Sequence, residues 1–181
     1  METFRYDAPF GPLHVSCDRV HDDEGTVTAI RFLPGGDAGA PQSAFAVQVA
    51  EQLDRYFANP RFVFTVPVRL TGTVFQQQLW QALRAIPVGE VRRYGELSTQ
   101  LGSSARAVGG ACQHNPVPVI VPCHRVVSAS GDGGFAGAVD GPLMNIKRWL
   151  LRHEGVQVAD ARGQTGDLFA ADSFTTPESN G

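Results

Sequence analysis

Pro122-Cys123-His124-Arg125-Val126 is the most informative stretch of this sequence. It follows the apolar run Pro118-Val119-Ile120-Val121, which predicts a short buried strand because prolines restrict both of its ends. Such a strand would deliver Cys123 into a turn, beside an imidazole and a guanidinium. Positive neighbours favour the thiolate, which is the nucleophilic form of cysteine. The pattern therefore indicates a reactive cysteine, although many free cysteines are simply buried packing residues.

Length and composition fit a globular protein of one or two domains. The chain has 181 residues, of which 43% are hydrophobic and 18% are charged, and both fractions are ordinary for such proteins. The first residues lack the basic and then apolar layout of a secretory signal, and no apolar run reaches the roughly 18 residues of a membrane span. We therefore expect a cytoplasmic protein with no membrane partner.

The three cysteines, Cys17, Cys112 and Cys123, are too few and too scattered for a disulfide framework, which also suits a reducing compartment. His14, Cys17 and His21 lie close together in the sequence and raise the question of a metal site. A fourth ligand is not evident, and the spacing matches no zinc pattern. We expect no bound metal.

The net charge of −3 is distributed unevenly along the chain. Residues 73–155 hold 8 basic against 5 acidic residues, whereas residues 1–72 and 156–181 each carry −3. The basic segment also contains the cysteine motif, and a modest basic face can bind phosphate backbones within an acidic protein. An excess of this size is also ordinary on protein surfaces, so charge alone does not identify a nucleic-acid partner.

The first part of the chain, up to about residue 72, predicts a small α/β unit. Residues 6–17 contain a Pro-Phe-Gly-Pro turn between two extended pieces, and residues 27–33 have the composition of a strand. Apolar residues repeat with helical spacing over 45–57, and residues 62–68 predict a further strand. No motif in this unit carries chemistry, so we expect a structural role.

The middle of the chain predicts a helix-turn-helix. Thr73 can cap a first helix that ends before Pro87-Val88-Gly89. Two shorter helices follow over residues 94–101 and 105–112, separated by the tight turn Gly102-Ser103-Ser104. A short helix, a small turn with glycine and another helix form the outline of that motif, although other helical proteins also show it.

The second helix of this pair carries little side-chain bulk. Its small residues are Ala105, Ala107, Gly109, Gly110 and Ala111. Each glycine lowers helix propensity by roughly 1 kcal/mol, so such a surface suits the close approach of another backbone. That backbone could belong to a neighbouring helix or to DNA, and Arg106 is the only long side chain among these small ones.

The segment after the cysteine motif predicts a loop, a last helix and a tail. Residues 128–138 are rich in Gly and Ser and contain one aromatic residue, Phe135. Residues 143–153 place apolar side chains at helical spacing, and Glu154-Gly155 closes that helix. Residues 157–181 are polar, and we expect a flexible tail.

Five ordered blocks between about Gly72 and Gly155 resemble the O6-alkylguanine-DNA alkyltransferases, also called methylated-DNA–protein-cysteine methyltransferases. The blocks are Thr73-Val74-Phe75-Gln76-Gln77-Gln78-Leu79-Trp80, Ala105-Arg106-Ala107-Val108-Gly109-Gly110-Ala111, Asn115-Pro116-Val117-Pro118, Pro122-Cys123-His124-Arg125-Val126-Val127 and Lys147-Arg148-Trp149-Leu150-Leu151-Arg152-His153-Glu154-Gly155. The resemblance implies an α+β (α/β) fold. Residues 1–71 would form a small, variable N-terminal α/β domain with an antiparallel sheet. Residues 72–156 would form a C-terminal helical domain that contains the helix-turn-helix and the reactive cysteine.

The resemblance also implies a reaction. The family moves the alkyl group of O6-alkylguanine onto its own cysteine, here Cys123, with His124 as the base and Glu154 behind it. Asn115 aligns with the asparagine that fixes the turn near the thiol. The thioether product has no easy leaving path, so each molecule would react once, as a suicide enzyme, without a cofactor. Activity on O4-alkylthymine is left open.

The partner that the resemblance implies is double-stranded DNA bearing the lesion, bound at its minor groove by a monomer. The target base must leave the stack, and the family inserts an arginine, here Arg106, into the vacated space. Tyr94 aligns with a tyrosine that helps to rotate the nucleotide. The other residues expected to contact DNA or the base are Ala107, Gly109, Arg125, Val126, Phe135 and Ala136.

The sequence departs from the family in the wall of the base pocket. Ala136-Gly137-Ala138 stands where a small polar residue and a glycine pair are common, and Val139-Asp140-Gly141-Pro142 look inserted before the last helix. The preferred size of the alkyl group is therefore open.

Two other classes of protein remain alternatives. An alkyltransferase-like damage sensor would bind alkylated DNA without reacting, but such proteins lack the cysteine that is present here as Cys123. An unrelated thiol hydrolase could use Cys123 and His124, although such enzymes usually bring the histidine from a distant part of the sequence.

Overall fold

The computed structural model describes residues 1–21 and 24–157. The tail predicted over 157–181 therefore lies outside the described residues, except for Gln157. Within the described part of the chain, every helix is too short or too polar to cross a lipid bilayer.

The chain begins with a three-stranded antiparallel sheet whose order is β1-β2-β3. The strands are β1 (Glu2–Ala8), β2 (Gly11–His21) and β3 (Glu24–Phe32). Alternate side chains of β2, including Leu13 and Val15, are fully buried on one face of the sheet, as the two-residue period of a strand requires. The predicted antiparallel sheet is confirmed.

Helix α1 (Ala44–Ala58) packs on the buried face of the sheet and confirms the helix predicted over 45–57. It begins where the Ser43 hydroxyl accepts a hydrogen bond from the Ala46 amide at 3.1 Å, which is the usual role of an N-cap serine. Its buried stripe includes Val49, Leu53 and Tyr56.

The strand predicted over 62–68 is wrong, because this segment is irregular. Its backbone is held by a side chain: Oε1 of Gln52 accepts hydrogen bonds from the amides of Thr65 at 2.9 Å and Val66 at 3.3 Å. Val68 forms only an isolated bridge with Val27, and Pro67 has no amide hydrogen to contribute to a ladder.

The second half of the described chain is helical, as predicted. Its helices are α2 (Val74–Arg84), α3 (Tyr94–Gln100), α4 (Ala105–Gln113) and α5 (Gly141–His153). A capping box between Thr73 and Gln76 starts α2, and α3 packs against α4 in the helix-turn-helix. Two short strands, β4 (Arg92–Arg93) and β5 (Val126–Val127), pair in parallel and tie the start of α3 to the cysteine motif.

The N-terminal sheet and the C-terminal helices share one hydrophobic core. The ring of Phe10 lies 5.3 Å from that of Trp149 on α5, and the Ile30 amide donates to the Pro116 carbonyl at 2.8 Å. Both contacts cross the domain boundary predicted near residue 71. The site described next is therefore supported from both sides of that boundary.

Candidate active site

Cys123 follows a buried turn, so the strand predicted over 118–121 is wrong. Val119 takes a φ of 76°, in the left-handed region that β-branched residues rarely adopt. Asn115 holds the turn: its Nδ2 donates to the Val121 carbonyl at 2.8 Å, and its Oδ1 accepts from the Val117 amide at 3.1 Å. The turn leads into a single 3₁₀ turn, Cys123–Arg125, that presents the thiol.

Three polar side chains meet around the carboxylate of Glu154, directly after α5. His124 Nε2 lies 2.9 Å from Oε1, and Arg125 donates through Nε to Oε2 and through Nη2 to Oε1, both at 2.8 Å. The hydroxyl of Tyr56, from α1, also donates to Oε1 at 2.8 Å. All four residues are buried, so these contacts act without competition from solvent.

The protonation states in this cluster follow from burial and pairing. Burial alone would raise the pKa of Glu154, but hydrogen bonds from His124 and Arg125 hold that pKa well below its usual range. Burial lowers the pKa of His124, so the imidazole is neutral. Its Nε2 carries the proton that faces Glu154, and Nδ1 is left as the basic nitrogen. Within the described residues, Nδ1 has no hydrogen-bond partner.

The thiol of Cys123 is not ionised by its sequence neighbours. Burial raises its pKa, and the Asn115 side chain and the charge of Lys147 act in the opposite direction. The expectation that His124 and Arg125 favour the thiolate is therefore corrected, because both side chains are directed at Glu154. A base must take the proton when the thiol reacts.

Lys147 is the only lysine in the sequence, and its side chain is fully buried within α5. Its Nζ donates to the carbonyls of Val126 at 2.6 Å and Gly134 at 2.9 Å, and also to that of Asp132. Burial lowers its pKa to about 8. This ammonium fixes the loop that follows the cysteine motif, a role that the sequence analysis missed.

A cavity of about 740 Å³ opens beside the thiol, within the size range of small-molecule sites. Its walls include Tyr94, Gly109, Cys112, Cys123, Phe135 and Ala136. The Tyr94 hydroxyl donates to the Gly134 carbonyl at 3.1 Å. A tight turn forms the outer wall, since Phe135 and Ala138 exchange backbone hydrogen bonds of 2.8 Å.

The residues expected to contact DNA are divided between surface and interior. Arg106 is exposed on α4, and Ala107 and Gly109 are half-buried beside it. Arg125 is instead buried with its guanidinium on Glu154 and the Ile86 carbonyl, which removes it from a DNA-facing surface. Val126 is fully buried and is not among the residues that line the cavity.

The segment 139–142, expected to precede the last helix, overlaps its start. Gly141 and Pro142 form the first turn of α5, where proline fits because the first amides of a helix need no partner within it. Only Val139 and Asp140 remain as connecting residues, and Val139 lines the cavity.

Two further residues near the site were missed or left open by the sequence analysis. Tyr56 lies in the buried stripe of α1, and its sequence signal is a polar-tipped side chain among apolar ones. Cys112 lines the cavity from α4, and burial raises the pKa of its thiol. No group of three His, Cys, Asp or Glu side chains is arranged to hold a metal ion in residues 1–21 and 24–157.

Comparison with known proteins agrees with the arrangement of this site. The family model described as 6-O-methylguanine DNA methyltransferase, DNA binding domain, matches residues 74–156. The chain is 41% identical over 157 residues to the methylated-DNA–protein-cysteine methyltransferase of Mycobacterium bovis, a match that covers 82% of this chain and 88% of that protein. The Mycobacterium leprae protein of the same name is 39% identical over 155 residues, with coverages of 84% and 91%.

The fold is similar to that of Mycobacterium tuberculosis OGT, crystallised in complex with DNA. The TM-score is 0.69 at 40% sequence identity, and the match covers 86% of this chain and 93% of that one. Sequence and fold agree over most of both chains, which confirms the resemblance carried by the five blocks. The chain belongs to the methylated-DNA–protein-cysteine methyltransferase family.

Proposed function

We propose that this protein repairs alkylated DNA by moving the alkyl group from O6 of guanine to Sγ of Cys123. The observation that carries the proposal is the position of Cys123, which lines a cavity of about 740 Å³ and adjoins a neutral histidine paired with a buried carboxylate. The cavity is large enough for a nucleobase, and the histidine supplies the base that a buried thiol needs.

The proposed reaction is a single displacement. Nδ1 of His124 takes the thiol proton, directly or through water, while Glu154 holds the opposite nitrogen and stabilises the imidazolium that forms. The sulfur then attacks the alkyl carbon, the carbon–O6 bond breaks, and the electron pair remains on guanine, which regains one proton. The positive charge of Lys147 favours the thiolate as it develops. The thioether is stable, so each molecule acts once and needs no cofactor.

The proposed partner is double-stranded DNA with O6-alkylguanine, bound by a monomer at the minor groove. Arg106 is exposed on α4, among residues small enough for a backbone to approach, and we assign it the space left by the rotated base. Tyr94 and Phe135 would enclose that base in the cavity. In this proposal residues 72–156 bind DNA and react, and residues 1–71 support them.

The test is intact-mass analysis after incubation with a duplex that contains one O6-methylguanine. We expect a gain of one methyl group per chain, located at Cys123. The Cys123→Ala variant should bind the same duplex without gaining mass. An unchanged mass of the natural protein with retained binding would favour a damage sensor, and a methyl group on Cys17 or Cys112 would contradict the assigned acceptor.

The role of Arg106 can be tested with two substrates. The Arg106→Ala variant should lose far more activity on duplex DNA than on the free base O6-benzylguanine, because only the duplex has a stack to fill. Arg61→Ala, at an exposed arginine outside the proposed DNA surface, serves as the control. Equal losses on both substrates would contradict the stack-filling role.

A further inference from the structure

Tyr56 connects the N-terminal part of the chain to the catalytic carboxylate. Its hydroxyl donates to Oε1 of Glu154 at 2.8 Å, across 98 residues of sequence. The side chain is 1% exposed, so it can touch neither DNA nor the alkylated base. Any contribution that it makes to the reaction must pass through Glu154.

The oxygen that Tyr56 contacts is the one that sets the state of the histidine. Oε1 of Glu154 accepts from Tyr56 and from Nη2 of Arg125 and lies 2.9 Å from Nε2 of His124, whereas Oε2 accepts from Nε of Arg125. Rotation of the carboxylate would move Oε1 away from the imidazole. The Tyr56 hydroxyl opposes that rotation, because a donor aimed at one carboxylate oxygen fixes the plane of the group.

The phenol ring is itself held in place, so it can act as a fixed donor. It packs against the rings of Phe57 and Phe64, with centroid distances of 5.2 and 5.3 Å, and against His153 at 5.3 Å. The backbone carbonyl of Tyr56 also lies 2.8 Å from Nε2 of His153, at the end of α5. Helix α1 is thereby joined to the end of α5 through both Glu154 and His153.

We propose that Tyr56 is a positioning residue for alkyl transfer: it orients Oε1 of Glu154, which in turn holds the Nε2 proton of His124 and leaves Nδ1 unprotonated and available to take the thiol proton. The inference rests on the proposed function and deepens it, because it makes the N-terminal region part of the catalytic apparatus. It assigns a specific contribution to a region in which the sequence shows no chemical motif.

The groups that surround Glu154 and His124 determine the expected effect on the pH–rate profile. Glu154 faces His124, Arg125 and Tyr56. The positive charge of Lys147 also lowers the pKa of His124, and His153 packs on the Tyr56 ring. Removing the hydroxyl takes one donor from the carboxylate. The pKa of Glu154 rises, and the less engaged Oε1 also favours the protonated imidazole. Glu154 stays ionised where His124 titrates, because Arg125 still pairs with it. The change at the imidazole requires a higher pH before His124 can act as a base, so the acidic limb of the pH–rate profile moves upward.

The experiment compares Tyr56→Phe with Tyr6→Phe. Tyr6 is half-buried and also donates its hydroxyl to a carboxylate, that of Asp54, at 2.7 Å, but this bond is exposed to solvent and involves no residue of the site. Single-turnover transfer from a methylated duplex is measured against DNA concentration and pH. For Tyr56→Phe we expect the maximal rate to fall about tenfold, as for outer partners of a histidine in metal sites. The half-saturating DNA concentration should be unchanged, and Tyr6→Phe should match the natural protein.

A second variant distinguishes the effect of the hydrogen bond from a loss of folding stability. Site-specific 3-fluorotyrosine at position 56 keeps the ring and the hydroxyl but makes the hydroxyl a stronger donor. It should move the acidic limb downward, opposite to Tyr56→Phe. Unchanged pH profiles in both variants, or a Tyr56→Phe rate equal to that of the natural protein, would overturn the inference. Failure of the natural protein to take up a methyl group would instead overturn the proposed function.

Discussion

Two buried charged groups contact the cysteine motif, and their hydrogen bonds are satisfied in different ways. Glu154 is held by side chains, from Tyr56, His124 and Arg125. Lys147 is held by backbone carbonyls, among them those of Val126 and Gly134. The carboxylate of Glu154 sets the orientation and protonation of the side chains that contact it. The ammonium of Lys147 fixes the path of the backbone whose carbonyls it binds. The residues around Glu154, the first cluster, therefore prepare His124 to act as a base. The residues around Lys147, the second cluster, shape the cavity beside Cys123.

Glu154→Gln breaks the first cluster and should have the largest effect. Transfer should slow by roughly 100-fold, because the base loses its orienting partner. The free energy of unfolding should fall by about 3 kcal/mol, because Arg125 is left buried without its counter-charge. Single-turnover assays and urea denaturation measure the two effects. Glu90→Gln is the control, since Glu90 pairs with Arg92 at the surface and does not line the cavity. A Glu154→Gln rate close to that of the natural protein would contradict this function of the cluster.

Lys147→Met breaks the second cluster and should alter binding more than chemistry. Without the ammonium, the loop at Gly134 loses its anchor and the cavity wall moves. We expect the half-saturating DNA concentration to rise roughly tenfold, equal to about 1.4 kcal/mol, with a smaller change in maximal rate. Arg148→Met is the comparison, because Arg148 pairs with the Asp132 carboxylate on the same loop without reaching the carbonyls. A loss confined to the maximal rate would assign Lys147 to the chemistry instead.

The two clusters should also differ in their response to alkaline pH. The pKa of Lys147 is lowered to about 8, below the value of about 10.4 in an unfolded chain. Above pH 8 Lys147 therefore binds fewer protons in the folded state than in the unfolded state, and this residue alone makes the free energy of unfolding rise by up to about 1.4 kcal/mol per pH unit. Glu154, with its lowered pKa, stays ionised and contributes no slope there. Burial raises the pKa values of the Cys17, Cys112 and Cys123 thiols, which adds an opposing slope to both proteins. Urea denaturation between pH 7 and 10 should therefore show that the difference in free energy of unfolding between the natural protein and Lys147→Met grows with pH. Parallel curves would contradict it.

The smallest effect should come from the outer support of the pocket wall. The ring of Phe32, at the end of β3, lies 5.2 Å from that of Phe135. Phe32→Leu should change the ratio of benzyl to methyl transfer by roughly threefold, within the energy range of one aromatic pair. Phe62→Leu, whose partner is Phe64 at 5.7 Å, removes a similar contact that does not involve the cavity wall. An unchanged ratio in Phe32→Leu would show that the wall holds without this ring.

The sequence predicted the regular elements well, because hydrophobic periodicity reports which face of a helix or strand is buried. It failed at residues 62–68 and 118–121, where the composition resembles that of a strand. In both segments a side-chain amide, from Gln52 or Asn115, replaces the ladder of a neighbouring strand. Hydrophobic periodicity does not show where a side-chain amide takes the place of a neighbouring strand.

The candidate site was predictable only in part. Cys123, His124 and Glu154 stand in blocks that resemble a known family, so their proximity could be expected. Tyr56 could not be placed in the same way, because it lies outside the five blocks and 98 residues from Glu154. Lys147 begins the last block, but nothing in the block shows that its ammonium binds backbone carbonyls. A single lysine between Ile146 and Leu150, on the apolar face of a helix, was the available signal.

The burial of Lys147 also provides a way to measure local unfolding of the protein. No other residue of the sequence carries an ε-amine, and this one is inaccessible while α5 stays in the core. Acylating reagents can modify it only in molecules whose last helix has separated from the loop. The rate of its acylation would therefore report local unfolding beside the reactive sulfur without an engineered probe.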